Sequence, residues 1–217
     1  MITNLCFHGI GVCTQEREAG EARYWVSADA FHGILDETLD RPDVKISFDD
    51  GNRSDVAIAL PALQERNLSA TFFALAGRLD DPSSLSPADL RTLRAHGMAV
   101  GSHGWSHIPW RGLSPADARR ELIEAREALV EASGGEIADA ALPLGRYDRK
   151  LLSQLRGAAY RTVFTSDRFR ARPNAWLQAR YSVTSLDTAD SIRNLLTRPT
   201  SVSEVRMVTA SLVKRMR

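Results

Sequence analysis

Short apolar runs rich in β-branched and aromatic residues alternate along the chain with longer stretches whose apolar positions recur every three or four residues. The short runs predict strands over residues 2–7, 44–48, 70–76, 98–102, 137–142, 162–165 and 177–183. The longer stretches predict helices with readable starts at Ser27, Ser86 and Ser114. At the last two the sequence reads S-P-A-D: Ser offers an N-cap oxygen, Pro takes the first turn where no N–H is needed, and Asp sits at the positive helix end. In the third helix Ala118, Leu122, Ala125 and Leu129 form one apolar stripe, and Gly134 or Gly135 supplies a left-handed stop. Residues 201–217 predict an amphipathic helix ending in cations and packed on the rest, while 80–84 and 167–175 read as loops. Strands and helices in alternation predict a largely parallel α/β sheet, and seven strands suit a closed or nearly closed (β/α)7 barrel.

A chain of 217 residues is within the range of one barrel domain, so a single domain over 1–217 is expected. The 28 basic and 27 acidic residues nearly cancel, and no Lys/Arg-rich block calls for a nucleic acid or an anionic surface. No apolar run approaches the roughly 20 residues of a membrane span, and the first residues lack a basic segment followed by a long apolar core. A soluble, cytoplasmic protein without an integral membrane segment is therefore expected. Cys6 and Cys13 match neither a redox pair nor a zinc ribbon and read as reduced thiols, Cys6 buried in a strand.

Two segments carry chemistry. In "SFDDG" the adjacent Asp49 and Asp50 would face opposite ways inside a strand, but at a strand end, before Gly51, both can reach one site. Taken alone, the pair also suits a helix cap beside a solvated carboxylate. In "VGSHGWSHIPW" His103 and His107 are four residues apart, a spacing that on one helical turn brings two imidazoles to one ion. Alone, this too occurs in ordinary surface segments. Combined with a carboxylate from another strand end, the histidines make a His2Asp set with open positions, as a catalytic zinc site requires. His32 and His96 fall within and at the end of predicted helices and read as structural or solvated. Trp105 and Trp110 flank His107, where an aromatic ring can stack on a sugar face or simply pack.

"SFDDG" followed about fifty residues later by "SHGWSH" resembles the first two motifs of the polysaccharide deacetylase family, also called NodB-homology or carbohydrate esterase family 4. "ALPLGRYDRKLL" resembles the Pro-x-Gly motif of its permuted poly-N-acetylglucosamine deacetylase branch. The resemblance implies an irregular barrel of the NodB-homology type. It implies Asp50, His103 and His107 as metal ligands, Asp49 as the general base, and Pro143, Leu144 and Gly145 as the wall of the site. Zinc is the default ion, with cobalt, nickel or iron also compatible with such ligands. The commonest family pattern places an acid histidine near the C-terminus, yet no histidine follows His107. In the permuted branch its equivalent ends the first strand, where this chain has His8 in "NLCFHGIG". An arginine that steadies the base in many members aligns with Ala141, and the nearby Arg146 has no assigned role. Asp167 lies where a fourth motif contributes, as a residue that orients the site.

The expected function is thus a metal-dependent de-N-acetylase acting on an N-acetylated amino sugar in a glycan or glycan precursor, in bacterial surface-polysaccharide biosynthesis. The absence of an export signal favours a lipid- or nucleotide-linked precursor. A hydrolase of non-sugar amides or imides on the same scaffold, and a glycan-binding protein without turnover, are the competing expectations.

Overall fold

The computed structural model describes residues 1–199 and 201–217. Its strands are β1 (Thr3–Phe7), β2 (Gly9–Ile10), β3 (Trp25–Val26), β4 (Val44–Phe48), β5 (Ala70–Ala74), β6 (Ala99–Ser102), β7 (Asp139–Ala141), β8 (Thr162–Thr165), β9 (Leu177–Ala179) and β10 (Tyr181–Ser182). Its α-helices are α1 (Ala28–Asp36), α2 (Leu60–Glu65), α3 (Pro87–Ala95), α4 (Pro115–Arg119), α5 (Ala125–Ser133), α6 (Arg149–Gly157), α7 (Ala189–Thr197) and α8 (Val202–Met216). Eight strands form one all-parallel sheet in the order β10-β1-β4-β5-β6-β7-β8-β9, and β2 and β3 pair in a separate two-stranded sheet.

All seven expected strand segments are present, but the last is divided. At Arg180 the extended segment changes partner: β9 pairs with β8 and β10 with β1, at opposite edges of the sheet. One chain segment thus spans the gap and nearly closes the barrel. The two-residue strands β2 and β3 were not foreseen, being too short to show a period.

Alternation decides which residues face which layer. In β4, Val44, Ile46 and Phe48 join the apolar core under the helices, whereas Ser47 and Asp49 turn inward to meet Arg180. Phe7, Phe48 and Phe72 occupy matched positions on β1, β4 and β5, and successive rings stack with centroids 5.5 and 4.6 Å apart. Phe31 of α1 meets Phe7 edge-on at 5.1 Å. This aromatic ladder pins the register. Because His8 follows Phe7 and Asp49 follows Phe48, the same register brings both polar residues level at the C-terminal strand ends.

Ser27, Ser86 and Ser114 all cap helices through their hydroxyls, and Asp89 completes a capping box at Ser86. The third expected helix runs through α4 and α5, joined by a turn of π-type hydrogen bonding at 120–124, and stops at Gly134 with φ 69°. The C-terminal helix packs in an unexpected orientation. Its polar side faces inward, with Glu204 and Ser211 buried and bonded to Tyr181 and Tyr147, while Val205, Leu212 and Met216 are exposed.

Near the barrel axis the rings of Phe73 and Phe164 lie 5.2 Å apart, and the Arg180 guanidinium sits over both. Gly101 makes room for them: a Cβ there would lie 2.5 Å from the Phe73 ring and 3.0 Å from the Asp139 carbonyl oxygen. Gly101→Ala should therefore destabilise the fold by ~1–3 kcal/mol, read as a lower urea midpoint at unchanged slope; an unaltered midpoint would show that the axis has slack.

Candidate active site

β4 ends in two acids whose side chains diverge because the backbone turns between them. Asp50 is itself left-handed, φ 72°, and Gly51 continues the turn at φ 63°, so the reversal begins one residue earlier than Gly51 alone would place it. Asp tolerates this region better than most residues with a Cβ. Asp49 continues the inward face of β4 and Asp50 swings toward the loop after β6.

Asp49 is buried and clamped by Arg180, whose Nη1 and Nη2 donate to Oδ1 and Oδ2 at 2.7 and 2.6 Å. Arg180 Nη1 also donates to Ser47 Oγ at 3.0 Å. Burial pushes the Asp49 carboxyl upward, but the opposing charge of Arg180, aided by His103, outweighs it and brings the pKa to about 2. The arginine that sequence alignment would place at Ala141 thus has a counterpart on the segment closing the barrel. Arg146 is exposed.

His103 and His107 do not lie on a helical turn. Residues 103–110 form a loop in which Gly104 and His107 are left-handed, φ 87° and 57°. Its shape is held from below by Glu121, buried in the π-type turn. The Glu121 carboxylate accepts from the backbone N–H of Trp105 (2.8 Å) and Ser106 (3.0 Å) and from the Trp110 indole (3.2 Å). The loop brings His107 Nε2 to 3.3 Å and His103 Nε2 to 3.5 Å from Asp50 Oδ1. His103 Nε2 is 3.9 Å from Asp49 Oδ2.

The donor set fits a cation. His103 Nδ1 is 2.9 Å from the Ala141 carbonyl oxygen, which only accepts, so this nitrogen carries the proton and Nε2 of the neutral ring presents a lone pair. Asp50 Oδ1 is buried with no hydrogen-bond partner among the described residues. Against the pull of burial, His103 first and then His8 and His107 hold the Asp50 carboxyl far below the usual range when these imidazoles carry protons. Asp49 and Asp50 in return raise the pKa of His103 against its own burial; a bound cation would replace that positive charge. Ligand atoms of Asp50, His103 and His107 all lie within 4.8 Å of one another. Cys6, His8 and Asp49 meet the same distance condition but suit an ion poorly. Both Asp49 oxygens are engaged by a guanidinium, and burial pushes the Cys6 thiol well up, away from thiolate.

These side chains line a cavity of about 220 Å³ at the C-terminal strand ends, together with His8, Glu18, Tyr24, Leu144 and Gly145. The His8 ring lies tilted beside Tyr24, centroids 4.8 Å apart, and its Nδ1 is buried with no hydrogen-bond partner among the described residues. Burial lowers its pKa, against the pull of Asp50 and Asp49. A larger space of about 580 Å³ opens at the opposite end of the barrel, but its lining holds no histidine, cysteine or acid. The chemistry belongs to the smaller cavity.

Of the expected site residues, Asp49, Asp50, His103, His107, His8, Leu144 and Gly145 converge here. Three others do not line the cavity. Trp105 packs half-buried against the core, with the Arg120 guanidinium 4.7 Å from its ring centroid. Pro143 is buried behind the exposed Leu144. Asp167 is taken up by the Tyr147 hydroxyl (2.6 Å), Thr165 (2.9 Å) and Lys214 (2.6 Å), so it orients no histidine and braces α8 instead. Sequence reasoning missed Arg180, Glu121 and Glu18. A lone arginine amid the alternating run "LQARYSV" was the available sign of the first.

The polysaccharide deacetylase family model matches residues 36–163, and the chain belongs to that family. The chitooligosaccharide deacetylase of Rhizobium leguminosarum bv. phaseoli is 28% identical over 165 residues, covering 75% of this chain and 69% of that protein. YxkH of Bacillus subtilis (strain 168) is 23% identical over 124 residues, so the match spans 57% of this chain and only 44% of YxkH. In fold, the chain resembles the Streptococcus pyogenes deacetylase PplD, solved in complex with acetate (TM-score 0.78, 20% identity, 92% of this chain and 98% of that one). It also resembles IcaB from Ammonifex degensii (TM-score 0.75, 22% identity, 91% and 97%).

Arg180→Leu would leave Asp49 buried without its counter-charge. A loss of ~3–5 kcal/mol at pH 7 is expected in urea unfolding. Because the folded Asp49 pKa of about 2 lies below the ordinary 3.8, its contribution is complete above pH 3.8 and fades as pH falls toward 2. The wild-type advantage over Arg180→Leu should narrow over that window; a constant gap would contradict the ion pair.

Proposed function

We propose that this chain is a divalent-metal-dependent de-N-acetylase that hydrolyses the acetamide of an N-acetylated amino sugar, within bacterial surface-polysaccharide metabolism. One observation carries the reading. The unpartnered Asp50 oxygen and two imidazole nitrogens converge beside a second carboxylate that a buried arginine keeps ionised.

Asp50, His103 and His107 would hold the ion, with zinc the first choice for mixed imidazole and carboxylate donors and cobalt, nickel or ferrous iron admitted by the same set. When bound, such an ion polarises a carbonyl as a Lewis acid and lowers the pKa of water.

The chain's own residues handle the protons. Asp49 accepts a proton from the attacking water; its oxygens are close to the site but committed to Arg180, which leaves it a base and not a ligand. As the new C–O bond forms and the C–N bond breaks, the departing nitrogen needs a proton. His8 supplies it. A His8 nitrogen and an Asp49 oxygen are within 4.8 Å, so the proton taken from water can return through the imidazole to the amine. Burial lowers His8's hold on a proton, which suits a group that must hand it on. The products are acetate and a free amine. Leu144, exposed at the rim with φ 56°, together with Gly145 and Tyr24 would form the wall against the sugar.

Acetate release from N-acetylglucosamine oligomers tests the reading. Activity should vanish with a chelator and return with Zn²⁺ or Co²⁺, and Asp49→Asn and His8→Ala should each lose ~10²–10⁴-fold in kcat. Full activity of either variant, or of metal-stripped protein, would refute the assigned roles.

A further inference from the structure

Glu18 touches the candidate metal group from outside and has no part in the proton path above. It lies in the segment between β2 and β3, of which Ala19, Gly20 and Tyr24 also wall the cavity. Two consecutive residues of this segment reach the two sequence motifs. Arg17 bonds the Asn52 side chain, just past the paired acids, and donates to Ser84 Oγ at 3.0 Å. Glu18 Oε1 faces His107 Nδ1 at 2.6 Å and accepts from Arg78 Nη2 at 2.6 Å.

The chemistry of that contact is one-sided. An ionised carboxylate only accepts, so His107 Nδ1 bears the proton and, in the neutral ring, Nε2 keeps its lone pair directed at Asp50 Oδ1, 3.3 Å away. Arg78 balances the charge of Glu18 on its other side. His107 needs such support: its backbone is left-handed, φ 57°, in a loop and not a helix, so secondary structure does not aim the ring. The partner histidine is treated differently, its Nδ1 directed to the neutral Ala141 carbonyl.

We propose that Glu18 is a positioning residue for the metal centre. It fixes the tautomer and orientation of His107 and strengthens its Nε2 as a donor, so that ion affinity depends on the Glu18 carboxylate itself and not only on how firmly the segment between β2 and β3 is fastened. This rests on the metal reading of Asp50, His103 and His107.

The test compares Zn²⁺ affinity, by competition with a chromophoric chelator, and the visible absorption of the Co²⁺ form, for wild type, Glu18→Gln, Glu18→Asp and Arg17→Ala. Glu18→Gln keeps the shape and removes the charge. It should weaken Zn²⁺ binding ~10–100-fold and shift the Co²⁺ bands, with Glu18→Asp recovering part of the loss. Arg17→Ala loosens the same segment from Asn52 and Ser84 while leaving Glu18 in place, and should weaken binding less than about threefold. Wild-type affinity and spectrum in Glu18→Gln would overturn the proposal, as would an equal loss in Arg17→Ala, which would make Glu18 a fastener of the segment only. Failure of the wild type to bind either ion would instead remove the metal reading itself.

Discussion

Placing a guanidinium inside a barrel removes it from water at a cost of several kcal/mol, and the carboxylate facing it carries a similar penalty. Arg180 and Asp49 offset that cost through bidentate geometry and the added hydroxyl of Ser47. The pair then fixes much else. Arg180 stands where the last extended segment leaves β8 for β1, so the interaction ties the closing segment of the barrel to the strand that ends in the paired acids. It also sets the two neighbouring acids apart by their contacts. Asp49 is engaged by a fixed positive charge, which leaves Asp50 as the carboxylate free to face the histidines.

Around that division, acids in loops and irregular turns do the aiming that regular elements cannot. The loop carrying both histidines has no helical frame; Glu121 holds its backbone, and Glu18 meets the ring of His107. A π-type turn in an otherwise ordinary helix delivers Glu121, consistent with the tendency of such turns to occur near functional sites. Two of the residues proposed to hold an ion, Asp50 and His107, have left-handed backbones. Strain of this kind persists only when neighbouring contacts over-determine it.

Local patterns carried the strands, the Ser-capped helices and the motif acids and histidines, because each is written within a few consecutive residues. Family resemblance then placed His8, which the register of Phe7 against Phe48 brings level with Asp49. What sequence could not show depended on contacts between distant positions. Arg180 is 131 residues from Asp49, and no local period says which acid a buried arginine will meet. The stripe of Ala118, Leu122, Ala125 and Leu129 is buried as its period says, but Glu121 at its edge is buried with it, and no local pattern says that a charged residue there will meet the loop of His103 and His107. Trp105 misled for a related reason: adjacency to His107 in sequence says little in a loop, and its ring turns toward the core and Arg120. The C-terminal helix had the right period but the opposite face inward, since Tyr147, Tyr181 and Asp167 offer polar partners.

The division of labour between the two neighbouring acids is open to one direct measurement. Crystals grown with Zn²⁺ and recorded at its absorption edge would locate the ion by anomalous scattering. The expected peak is bonded to Asp50 Oδ1, His103 Nε2 and His107 Nε2, with Asp49 still clamped by Arg180. A peak among Cys6, His8 and Asp49, with Arg180 displaced, would contradict the assignment of base and ligand.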